Sequence, residues 1–206
     1  MSYYIIKRNV CGSALASCIF LQCFMLICLP SCATKPGTSP YSPVYITNRS
    51  AWALLPPACI EKALDMPQQI TGSYGAQEFV LDAWVKADEH EIYMAFFNSL
   101  GTNMGELSFR EDGISFSSAF FPAALKPEYI AADFQFCFFR ADTLAKALKD
   151  SGLSFSLEIR DTPEAREEVR TVHRGRERII EIVKTGESVR YTNFLRGYRY
   201  VLRGAF

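Results

Sequence analysis

Neither sign of charge dominates this chain: 22 Lys and Arg are matched by 22 Asp and Glu, with only 2 His. Nucleic-acid binding draws on clustered Lys and Arg that neutralise phosphates, so this balance argues against a nucleic-acid partner. Catalytic signatures are missing too. No G-x-S-x-G, H-E-x-x-H, phosphate loop or C-x-x-C occurs, and no pattern sets a nucleophile beside a base. Five of the 7 cysteines (Cys11, Cys18, Cys23, Cys28, Cys32) are scattered through one apolar run rather than paired at metal-site spacing. No enzyme activity, cofactor or metal is therefore expected. The remaining two, Cys59 and Cys137, could pair in an oxidising compartment or stay as small buried hydrophobes.

What is present is apolar material. Hydrophobic residues make up 49% of the 206 and aromatics 14%, with 16 Phe, enough for a true core and too much for a disordered chain. The length suits one domain with an accessory segment.

The accessory segment is N-terminal. After Lys7 and Arg8, no charged residue occurs from Asn9 to Thr34. That is the layout of a secretory signal, although its centre exceeds the usual run of about 7–15 residues. About 20 apolar residues would also span a bilayer as a helix. The end of the run separates these readings. Leu29-Pro30-Ser31-Cys32 resembles the bacterial lipobox, in which Leu stands three before an acylated Cys and a small residue directly before it. Cys28 does not fit, because bulky Ile27 precedes it, and Pro30 is an uncommon residue for its place. The resemblance implies cleavage before Cys32 and lipidation of Cys32, since two or more acyl chains hold a protein on a membrane. No Asp follows at the second position, so the expected location is the outer membrane, lipid-anchored and facing the periplasm. The expected organisation is a signal peptide over 1–31, a Pro/Ser/Thr-rich tether over 32–50, and a single β-rich domain over 51–206.

Within that domain, "SAWALLPPACIEKALDMP" offers a helical turn or short helix, with Pro57 at an early position and Leu64 and Met66 apolar. The period then becomes two. Phe79, Leu81, Ala83 and Val85 share a face, as do Ile92, Met94 and Phe96, and then Leu107 and Phe109. Asp112-Gly113 marks a hairpin, after which Ile114 and Phe116 turn inward. A helical insertion at about 122–151 follows. Ile130, Phe134 and Phe138 fall four apart, as do Leu144 and Leu148, although Phe134, Phe136 and Phe138 also alternate like a strand. Strand signals return in "LSFSLEIR" (Phe155, Leu157), "EEVRTVHRG", a hairpin about Lys184-Thr185-Gly186-Glu187, and "GYRYVLRG". The expected fold is mainly β (α+β): a curved antiparallel sheet or half-open barrel with a helical lid.

"PAALKPEYIAADFQFCFF", Arg160 and "YTNFLRGYRY" (with Asn193, Gly197 and Tyr198) resemble a family of short bacterial lipoproteins of unknown function. Its genes often neighbour aryl polyene and fatty-acid-like synthesis genes. The resemblance spans roughly Leu54 to the end and extends, more distantly, to the lipoprotein carrier and receptor proteins LolA and LolB. It implies a half-open barrel whose lid covers an acyl-accepting cavity.

The candidate site is the inward apolar face: Phe79, Leu81, Ile92, Met94, Phe96, Leu107, Phe109, Phe155 and Leu157, under a lid bearing Ile130, Phe134 and Phe138. An ordinary filled core explains the same pattern. A Met- and Phe-lined cavity would take an acyl or polyene-like lipid. The alternative is a docking protein that meets a synthesis or export partner through its helices or its arginines. Arg170, Arg174, Arg176 and Arg178 read as a solvated, salt-paired strand face. His90 and His173 read as surface residues. Asp133 reads as a helix cap or an Arg partner, with a buried acid as the sharper possibility.

Overall fold

Apolar residues at every second position build strands here, and Gly-, Asn- or Asp-bearing turns separate them. The structure, a computed structural model, describes residues 41–118, 120–121 and 125–204. The expected signal segment and Cys32 lie outside the described residues. Strands β1 (Val44–Tyr45) and β2 (Ala51–Trp52) form a small antiparallel pair. Five strands then form a meander: β3 (Leu64–Tyr74), β4 (Gln77–Ala87), β5 (Glu91–Phe97), β6 (Asn103–Arg110) and β7 (Gly113–Ser117). Two helices follow, α1 (Pro127–Phe138) and α2 (Ala141–Asp150). A second meander completes the fold: β8 (Ser154–Asp161), β9 (Arg166–Arg174), β10 (Glu177–Lys184), β11 (Ser188–Asn193) and β12 (Tyr198–Arg203).

The two meanders join into one antiparallel sheet of ten strands, in the order β7-β6-β5-β4-β3-β12-β11-β10-β9-β8. Its centre is the pairing of β3 with β12, from Tyr198 opposite Tyr74 to Arg203 opposite Gln69. The sheet is curved and remains open, with β7 and β8 as its edges. The helices therefore connect one edge to the other and cover the apolar face between them. The expected class, a curved antiparallel sheet with a helical lid, is the observed one.

Helix α1 starts on Pro127, whose missing N–H would be unsatisfied at that position anyway, with Glu128 in the first turn. Its alternative reading as a strand does not hold. Ile130, Phe134, Cys137 and Phe138 form a helical stripe facing the sheet. In α2, Leu144 and Leu148 are fully buried.

Two boundaries differ from expectation. The packed domain begins earlier than Ala51, because Tyr41, Val44, Ile46 and Thr47 are buried and β1 pairs with β2. The expected helical turn is present as the short 3-10 turn Pro57–Cys59, but it ends before Leu64 and Met66, which open β3 instead. The reason is tertiary: Ile60 bridges Phe139, and the Glu61 N–H donates to the Phe138 carbonyl at 2.9 Å, holding this segment extended against the end of α1. Pro67 is tolerated in β3 because the ladder with β12 stops at Gln69. Cys59 and Cys137 are both buried and unpaired. No helix among the described residues is long and apolar enough to cross a membrane.

Candidate functional site

Between α1 and the sheet lies a cavity of about 580 Å³ with a predominantly apolar wall. Its floor follows the inner-face rungs of the β3–β4 hairpin: Gly72 opposite Phe79, Ile70 opposite Leu81, Gln68 opposite Ala83, Met66 opposite Val85. Exposure falls along those rungs, from 39% at Phe79 to 3% at Ala83 and 2% at Val85. The hairpin tip, with Tyr74 and Phe79, is therefore the mouth, and the Gln68–Ala83 and Met66–Val85 rungs lie toward the closed end. Gly72 is required at the mouth. A Cβ there would stand 2.5 Å from the Phe79 ring and 2.8 Å from the Arg199 carbonyl, so the ring lies flush on bare backbone.

Of the expected lining residues, Phe79, Leu81, Met94 and Phe96 do face the cavity, as do the lid residues Ile130, Phe134 and Phe138. Ile92, Leu107 and Phe109 do not. They are completely buried in solid core, with Phe109 against the Tyr41 ring at 4.8 Å. Phe155 packs on the rim of that core. Leu157 is 42% exposed, because β8 is an edge strand that extends past the cover of the helices. The candidate face is thus part cavity and part filled core.

The wall also carries polar chemistry that alternation alone does not reveal. Asp133 sits on the same stripe of α1 as Ile130 and Phe134, enclosed by the fold but with surface toward the cavity. The Tyr191 hydroxyl donates to its Oδ1 at 2.6 Å, and the Tyr198 hydroxyl lies 2.9 and 2.8 Å from Oδ1 and Oδ2. No salt bridge reaches it among the described residues. Burial therefore raises its pKa to about 7, against the opposing pull of the two hydroxyls. Asp133 is the buried acid, neither a helix cap nor an Arg partner. Tyr191, Tyr198 and Tyr200 stack face to face along β11 and β12, with Tyr191 and Tyr200 centred 4.8 Å apart. Burial pushes all three phenols well above their usual range and the Cys137 thiol up to about 12, so neither a phenolate nor a thiolate nucleophile is available at neutral pH. Asn193 steadies this row. Its Nδ2 donates to the Tyr198 hydroxyl at 3.3 Å and its Oδ1 accepts from the Arg196 N–H at 2.9 Å, while Gly197 supplies the positive φ of +69° that turns β11 into β12.

The lid is pinned at its C-terminal half. Gln135, fully buried, donates to the Leu55 carbonyl at 2.8 Å and accepts from the Leu55 N–H at 3.0 Å. Arg170 is not on a solvated face. It is fully buried, donating to the Phe139 carbonyl at 2.6 Å and the Phe136 carbonyl at 3.3 Å, where α1 leaves carbonyls unsatisfied. Glu168 and Glu61 each hold the same guanidinium at 2.6 Å, and Lys184 joins Glu168 at 3.3 Å. Arg174 and Arg178 do sit on the surface, paired with Glu177 and Glu181. Sequence order hides the difference: Arg170 stands opposite the buried Ile182 of β10, whereas Arg174 stands opposite Glu177 at the end of the hairpin.

Among the described residues, no group of three or more His, Cys, Asp or Glu could hold a metal ion. Compared with known families, residues 65–203 match the model described as "Protein of unknown function (DUF3261)". No curated protein matches the chain.

Proposed function

The chain belongs to the DUF3261 family, and from that premise we propose a non-enzymatic lipid-binding protein that encloses an acyl or polyene-like chain between sheet and lid. The observation that carries this reading is the cavity of about 580 Å³, walled by Phe79, Leu81, Met94, Phe96, Ile130 and Phe134 and open at the β3–β4 tip. Apolar walls with a few convergent polar groups are the usual chemistry of a small-molecule site. In the same proposal, the lipobox-like "LPSC" makes Cys32 a lipidated residue that holds the protein on the outer membrane, facing the periplasm. A docking role through the arginine-bearing strand face has less support, because Arg174 and Arg178 are already neutralised by neighbouring glutamates.

The test uses the difference between a hollow and a filled interior. Ala83→Phe adds a ring to the cavity wall at its buried end, where a hollow interior has room for it. We expect it to fold with an unchanged or raised Tm, since overpacking penalises only sites that are already full. Native mass spectrometry of the full-length wild type purified from cells should show a co-purified lipid that this variant lacks. A large drop in Tm, or a wild type that never carries lipid, defeats the reading.

A further inference from the structure

One polar group in the cavity wall has no partner. Gln68 is only 5% exposed, and its Nε2 makes no hydrogen bond. Buried amide donors are almost always paired, because desolvating one without compensation is costly. Among the described residues Trp52 Nε1 shares this condition, but that indole is stacked on Phe136 at 4.9 Å and lies outside the cavity wall. Gln68 is different. Strand alternation sets it on the inner face with Met66 and Ile70, and both it and its cross-strand neighbour, the small Ala83, line the cavity. It also lies at the closed end, four residues or roughly 13 Å along β4 from the Phe79 rung at the mouth.

A purely hydrocarbon end seated there would leave the donor orphaned. A carboxylate would be a buried charge without a cation, for the wall's only cationic side chain among the described residues is Arg196, which donates to the Tyr45 carbonyl at the exposed side. We infer that the ligand bears a neutral oxygen, as a ketone, ester, aldehyde or alcohol, on the end of its chain that enters first, and that Gln68 Nε2 donates to that oxygen at the closed end. This deepens the lipid-binding reading and rests on it. It specifies a polar-tipped chain rather than a plain fatty acyl tail as the occupant.

The experiment offers full-length protein an equimolar mixture of 2-heptadecanone and heptadecane, matched in length, and quantifies what is retained by gas chromatography–mass spectrometry. Wild type should enrich the ketone by about fivefold or more, the equilibrium effect of one net neutral hydrogen bond. Gln68→Met keeps the length of the side chain and removes the donor. It should lower ketone uptake to the level of heptadecane, so that the preference is lost, and melt slightly higher when empty because no buried donor is left unpaired. Infrared spectra of bound, carbonyl-labelled ketone give a second readout that survives a variant that does not fold. In wild type the stretch should lie at the lower, hydrogen-bonded frequency, and a free-carbonyl frequency overturns the inference. Equal retention of the two compounds by wild type overturns it as well, while leaving the cavity reading intact. A preference that persists in Gln68→Met removes Gln68 from the assignment. Retention of neither compound defeats the cavity reading itself.

Discussion

Asp133 shows how much one residue can depend on neighbours distant in sequence. A carboxylate inside an apolar helical stripe, "AADFQF", read first as a helix cap or an Arg partner and only secondarily as a buried acid, and its true partners could not be read. Tyr191 and Tyr198 lie 58 and 65 positions further on, and only the register of β11 with β12 brings them to it. The same holds for Arg170, which among four arginines in nine residues carries no local sign of being the buried one. The pH consequence of Asp133 has a definite sign. In the unfolded chain its pKa is near the ordinary Asp value of about 3.9, and in the fold it is about 7. Between these values the native state holds the extra proton, so this group's contribution to stability is complete below pH ~4, declines as pH rises, and is gone above pH ~7. Urea unfolding of wild type and Asp133→Asn from pH 4 to 8 should show the wild type losing stability relative to the variant across that window, by a few kcal/mol at most. A flat difference curve would show that the carboxyl is not held neutral.

At the level of elements, alternation and turn signals made β4 to β12 readable, and fourfold spacing did the same for α1 and α2. Strand β3 escaped because Pro67 and Gly72 interrupt its pattern, and both are admitted for tertiary reasons: the end of β12, and the Phe79 ring lying on the backbone. Half of the candidate lining was misplaced for a related reason. Period two tells which face a residue occupies but not whether the space above it is filled, so Ile92, Leu107 and Phe109 looked like Phe79 and Met94. What decides is where α1 lies, and Arg170 fixes the end of that helix to β9. Truncating it to Met leaves two carbonyls, two glutamates and Lys184 to rearrange without their central cation. We expect Arg170→Met to cost about 3–5 kcal/mol in denaturant unfolding, the penalty for breaking a buried charge pair. Arg170→Lys should recover little of this, since an ammonium cannot reproduce the planar fork of donors. A loss below about 1 kcal/mol would mean the helix is held by packing alone.

Over the whole molecule, the arrangement of strands follows from two meanders that meet tail to head. Hairpin order within each meander was readable from turns, but the seam between β3 and β12 was not, because no local signal announces a pairing between the first and the last strand of the sheet in chain order. That seam lies at the centre, where it is flanked by four strands on either side. The cavity wall spans it, taking Gln68 and Phe79 from one meander and Tyr191, Tyr198 and Leu202 from the other. Contacts with so great a sequence separation form slowly, after a large loop has closed. The seam therefore acts as a clock. While the polypeptide is being made, the strand that must complete the middle of the sheet is the one synthesised after all the others, and until then two half-sheets have only bare edges to offer each other. Chains stopped at residue 193 should lack cooperative unfolding and stable amide protection in β3, whereas chains extended to residue 204 should have both. If the shorter chain already protects β3, the halves fold independently and the order of synthesis carries no such constraint.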